Sequence, residues 1–165
     1  MARELVVLGI DPGSRAHGWA VLVVGPHSAR YLDGGHRECS AADLVRRTIR
    51  VECRGPLDLV AVEVPAVLHH LPAVRQVLLT AVSAGAALGA ADCFDRLNVR
   101  VNPADWRRDV CGHGSARDST VKDAIDRLVT GWPKRSNVHI RDAAGVALHA
   151  AWRVLRAEAE AEGAA

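Results

Sequence analysis

Apolar residues fall into two patterns along the chain, short near-continuous runs and longer stretches with a helical period. Glu4–Ile10 is a β-branched run that stops at Asp11-Pro12-Gly13, which reads as a buried strand entering a turn. Gly18–Val24 reads as a second strand, paired with the first in a hairpin, and Ala29–His36 as a third, closed by Gly34-Gly35. From Ala41 to Arg54 the period becomes helical: Leu44, Val45, Thr48, Ile49 and Cys53 form one stripe. Asp43, Arg46, Arg47, Arg50 and Arg54 take the other face, and Gly55-Pro56 ends the helix. Asp58–Val64 is a further buried strand, unusual in carrying Glu63. Ala73–Phe94 reads as a long helix, apolar around most of its circumference, and Asn98–Asn102 as a short fifth strand. Pro103 opens a short helix through Trp106. Ser115 is expected to cap a helix over Ala116–Val129, and Ser136 or Asn137 a last helix that fades into an Ala/Glu tail at Ala157.

Three strands followed by alternating helices and strands imply an α/β fold, a mixed five-stranded sheet with helices on both faces. Ligands gather at the carboxyl ends of strands in such sheets. Asp11 and Glu63 stand at two such ends, on strands expected to be neighbours. Alone, Asp11 could be a turn residue and Glu63 a strand-end partner for arginine. Together they read as paired hard-oxygen ligands suited to Mg²⁺ or Mn²⁺. His139 and Asp142, three residues apart, share a face near the start of the last helix. The small residues after Asp142 would let that helix approach the sheet and bring its first turn beside Asp11.

With 165 residues, 49% of them hydrophobic and 24% charged, the chain fits one globular domain, expected over residues 1–156 with a tail over 157–165. The apolar stretch Val77–Ala91 is broken by Thr80, Ser83, Gly85 and Gly89, which argues against a membrane span, and no secretory leader is evident. A cytoplasmic protein is expected. The 4 cysteines are scattered and suggest neither a zinc site nor a disulfide framework. A formal net charge of +2 does not by itself identify a nucleic-acid partner, although arginine far outnumbers lysine and suits phosphate contacts.

The segment Leu8–Leu22 (LGIDPGSRAHGWAVL) resembles the opening motif of RuvC-type Holliday-junction resolvases. The resemblance continues through Val60–Pro65, Gly112–Val121 and His139–Trp152, so it covers almost the whole chain. It implies an RNase H-like fold and a metal-dependent, structure-selective endonuclease resolving four-way junctions by paired phosphodiester hydrolysis. It further implies two Mg²⁺ or Mn²⁺ ions per site on Asp11, Glu63, His139 and Asp142, with Asp11 bridging. In a second register Asp142 takes the histidine position and Gly145 stands where the last acid should be; the first loses no ligand and is preferred. Ser14, Arg15, Arg107, Arg108, Arg117 and Lys122 are the expected DNA-contacting residues. Many relatives carry an aromatic wedge after the strand glutamate; here Leu68 and His69 occupy that loop. Branched DNA and a second copy of the chain are the implied partners, with a branch-migration motor left open. No membrane partner is expected.

Three other readings compete. The missing wedge leaves room for a generic RNase H-like or flap nuclease without junction specificity. A non-catalytic DNA-binding module of the same fold is a second. An actin-like nucleotide-binding protein also begins with a strand and a D-x-G turn, but needs two domains to enclose its nucleotide, which this length does not supply. The apolar Ala73–Phe94 helix, with Ala81, Gly85 and Gly89 at four-residue spacing, is expected to contribute to a homodimer interface.

Overall fold

The computed structural model describes residues 3–52, 57–65 and 74–164. Strands β1 (Leu5–Pro12), β2 (Ala16–Val24) and β3 (Ala29–Glu38) form an antiparallel meander. Helix α1 (Ala41–Arg47) runs into a π-helical turn at Thr48–Glu52, where the Thr48 hydroxyl donates to the Leu44 carbonyl. Next come β4 (Leu59–Glu63), α2 (Val74–Asp92), β5 (Leu97–Val101), α3 (Pro103–Cys111), α4 (Asp118–Leu128), β6 (Val129–Thr130) and α5 (Val138–Gly163). The sheet order is β5-β4-β1-β2-β3-β6, with β4 parallel to both β1 and β5. Helices α1 and α2 cover one face, and α3, α4 and α5 the other.

The expected mixed sheet with helices on both faces is present, but it has six strands rather than five. The additional strand, β6, is two residues long and pairs in parallel with Ala29 and Arg30. Two residues cannot display an alternating pattern. Ser115 does not cap α4: the Ala116 amide donates to the His113 carbonyl, so Ser115 lies in a turn, and α4 begins only after Arg117. At the last helix Asn137 is the cap, its side chain accepting from the Ile140 amide. That helix does not fade at Ala157 but continues to Gly163. The helix opened by Pro103 extends to Cys111 and stops at Gly112, whose φ of 89° is the left-handed conformation of a glycine cap.

Strand alternation decides where the site forms. On β1, Leu5 and Val7 face the core under α5, whereas Leu8 and Ile10 face α1 and α2. Gly9 and Asp11 share the first face by the same period. On β4, Leu59 and Ala61 face α5, so Glu63 does too. The β1–β4 register pairs Gly9 with Ala61 and Ile10 with Val62, which leaves Asp11 and Glu63 side by side one step further on.

Helix α5 lies unusually close to that face because glycines receive it. A Cβ on Gly9 would fall 2.0 Å from the Ala143 carbonyl oxygen, and one on Gly18 2.2 Å from that of His139. Residues Asp142–Ala151 are all buried, with the sheet on one side of α5 and α3 and α4 against it. By length and composition alone α2 would pass for a membrane span. Instead, Ala84, Ala87, Leu88, Ala90 and Ala91 bury one of its faces in the core shared with α1, and Val74, Leu78, Leu79 and Val82 stand exposed on the other.

Candidate active site

Four side chains converge where β1 and β4 end beneath the first turn of α5. His139 Nδ1 lies 2.7 Å from Asp11 Oδ2. Asp142, one turn along α5, is only 8% exposed, and its Oδ2 accepts from the Arg107 guanidinium at 3.0 Å. Glu63 Oε2 accepts from the Trp106 indole N–H at 2.6 Å. The geometry therefore assembles the four residues that the sequence singled out. Among the described residues no three acidic, histidine or cysteine groups meet as a ready-made cation cage, because each carboxylate is turned toward its own partner.

The electrostatics show what that crowding costs. Burial pushes Glu63 up to about 7; Asp11 and Asp142 add to the rise, while the Trp106 hydrogen bond opposes it. Burial also pushes Asp142 up to about 6, against the pull of Arg107, with the charges of Asp11 and Asp118 raising it further. Asp142 Oδ1 is buried and has no hydrogen-bond partner. An orphaned, buried carboxylate oxygen beside two other acids is the arrangement a cation would relieve.

The turn carrying Asp11 is braced from below. His17 on β2, 2% exposed, accepts from the Gly13 amide at Nδ1 and donates from Nε2 to the Cys39 carbonyl. Burial lowers its pKa, consistent with this neutral tautomer. His36 on β3 pairs across the sheet with Gly18, and its ring stacks on that of His139 with centroids 5.1 Å apart.

The basic residues divide. Ser14 lies by the site turn and accepts from Gln76 Nε2, Arg15 beside it is exposed, and Arg107 points inward to Asp142. Arg117, also exposed, immediately precedes Asp118, whose charge reaches Asp142. Arg108 and Lys122 are drawn elsewhere, into ion pairs with Asp105 and Asp126 on their own helices. Leu68 and His69 lie outside the described residues, as does Arg54. Sequence reasoning passed over Trp106, His17 and His36. Only a tryptophan next to Arg107 and a histidine interrupting an apolar strand could have drawn attention to the first two.

The chain resembles known proteins in both sequence and fold. Crossover junction endodeoxyribonuclease RuvC of Psychrobacter arcticus is 24% identical over 142 residues, covering 76% of this chain and 69% of that protein. The same protein of Psychrobacter cryohalolentis is 23% identical over equal coverage. No family model matches the chain. Among solved structures, T. thermophilus RuvC in complex with Holliday junction substrate superimposes with a TM-score of 0.75 and 26% identity, over 93% of this chain and 96% of that one. The yeast mitochondrial Holliday junction resolvase Ydc2, 15% identical with a TM-score of 0.59 over 93% of this chain and 80% of that one, shares the fold. Sequence similarity and superposition over most of the chain agree, and the chain is similar to RuvC-type proteins in sequence and shares their RNase H-like fold.

Proposed function

We propose that the protein is a metal-dependent endonuclease that resolves four-way DNA junctions by paired hydrolysis, acting in the cytoplasm. The observation that carries this reading is the convergence of Asp11, Glu63, His139 and Asp142 from β1, β4 and α5, with two carboxyls raised by burial and one buried oxygen unpartnered. The relatives' names and the junction-bound T. thermophilus structure supply the substrate class.

The donor set fits hard divalent cations, since three carboxylates and one imidazole suit Mg²⁺ or, with the histidine, Mn²⁺. Two such ions, when bound, would activate a water and stabilise the departing 3′ oxygen. Asp11, whose charge acts on both Glu63 and Asp142, would hold the ions together with those two acids. Asp142 would offer its unpartnered Oδ1 to an ion while Oδ2 stays on the Arg107 guanidinium, whose remaining N–H groups could meet a phosphate oxygen. His139 turns Nδ1 to the Asp11 carboxyl, which leaves Nε2 as the atom that could receive a proton from a water or ligate an ion. Ser14, Arg15 and Arg117 flank the site as contacts to the DNA backbone. Arg108 and Lys122 could join them only by leaving their ion pairs with Asp105 and Asp126.

Paired cuts need two sites on one face, which a twofold dimer provides. The exposed apolar side of α2 supports such a dimer. Val74, Leu78 and Val82 recur at four-residue spacing, and a Cβ on Gly85 or Gly89 would meet nothing within 4 Å. The discriminating experiment is cleavage of labelled four-way junction, flap, duplex and RNA–DNA hybrid with Mg²⁺ or Mn²⁺. Symmetric paired cuts in the junction are expected. Equal cutting of flap and junction would favour a generic nuclease instead.

A further inference from the structure

We propose that Trp106 is a positioning residue that holds Glu63 in the orientation needed to bind a divalent cation. This inference rests on the cation-site reading of Asp11, Glu63 and Asp142 given above. Trp106 is fully buried, and its indole N–H, the side chain's one polar group, donates to Glu63 Oε2. No other hydrogen bond to the Glu63 side chain is made among the described residues, so the indole is the one polar group that orients it at the end of β4.

The ring itself cannot drift. It is pressed against α5 at Gly145, where an added Cβ would fall 2.5 Å from the six-membered ring. The Arg107 guanidinium lies 4.8 Å above the indole while reaching Asp142. Consecutive residues of α3 thus orient two of the three acids, one by a neutral donor and the other by a charged one. A neutral donor suits this place: it aligns the carboxylate without contributing a positive charge that would repel the incoming cation. Gly145 has a role in the same device, since only a residue without a side chain lets the indole sit close enough to reach Glu63.

The test is Trp106→Phe, which keeps a ring against Gly145 and removes the donor. Binding of Mg²⁺ and Mn²⁺ is measured by calorimetry without DNA, alongside wild type, Asp11→Asn and Glu63→Ala. Trp106→Phe should bind roughly tenfold more weakly, as loss of an orienting partner does, while the other two variants lose binding. If those two bind like wild type, the cation-site reading itself fails. If they lose the metal but Trp106→Phe retains wild-type affinity, only the role of Trp106 is overturned. Should Trp106→Phe not fold, the wild-type protein supplies the readout. Of its 4 indole N–H resonances, that of Trp106 should shift most on titration with Mg²⁺. A Trp106 resonance that stays fixed while Mg²⁺ binds overturns the proposal.

Discussion

His139 and Asp11 are separated by 128 residues, yet their side chains meet at 2.7 Å. The contact depends on Gly18, which pairs with Asp11 across the hairpin and lets the His139 backbone rest directly on the strand. Any side chain at position 18 would hold the first turn of α5 off the sheet and separate the pair.

Asp11→Asn should abolish cleavage, by on the order of a hundredfold or more, while junction binding is kept. A neutral amide at position 11 would hold cations poorly but leave the hairpin intact. Cleavage and gel-shift assays on one preparation check both halves; residual activity above a few per cent would sink the assignment of Asp11.

His139→Ala should lose roughly tenfold to a hundredfold in rate at saturating Mn²⁺. Gly145→Asp should give no gain, because its Cβ would strike the Trp106 ring and its carboxylate would be buried. A rise in activity for Gly145→Asp would restore the alternative alignment, in which that position carries the last acid. A lowered melting temperature for Gly145→Asp is the accompanying expectation.

The metal-free protein should melt at lower temperature near pH 8 than near pH 5. Folding raises Glu63 from 4.5 to about 7 and Asp142 from 3.8 to about 6. Between those limits the folded chain holds more protons than the unfolded one. The resulting stabilisation is complete below about pH 4 and is lost as pH rises through 6 and then 7. Glu63→Gln should flatten the slope, and Mg²⁺ should raise the melting temperature more at the higher pH. A Glu63→Gln profile parallel to wild type in a fluorimetric melt would count against the buried-acid account.

Val82→Glu should convert a dimer to a monomer without unfolding it, since Val82 is 70% exposed and lies on the apolar side of α2. Light scattering at micromolar concentration should report about twice the chain mass for wild type and the single-chain mass for the variant. A wild-type monomer would leave α2 without its expected role.

Much of this was legible in the sequence because burial leaves a pattern. The runs of β1, β2 and β4 are apolar on both sides since helices cover both faces of the sheet, and the acids stand out at the ends of β1 and β4 for that reason. What escaped was set by partners distant in the chain. β6 exists only because Ala29 and Arg30 offer an edge to pair with. The tail after Ala157 extends α5 although polar residues dominate it, and the Arg3–Glu158 ion pair ties that end of the helix to the start of β1. Trp106 read as an ordinary core residue because nothing local reveals that its N–H points at Glu63.

The glycine-lined approach of α5 has a mechanical consequence. Where side chains separate a helix from a sheet, the gap can breathe as rotamers change. Here main chain rests almost on main chain at Gly9 and Gly18, so the sheet acts as a hard stop. The distance from the acids on the strands to His139 and Asp142 on the helix is then set by backbone contact. An inserted residue inside α5 would turn everything beyond it by about 100°, and no repacking of side chains could restore the alignment.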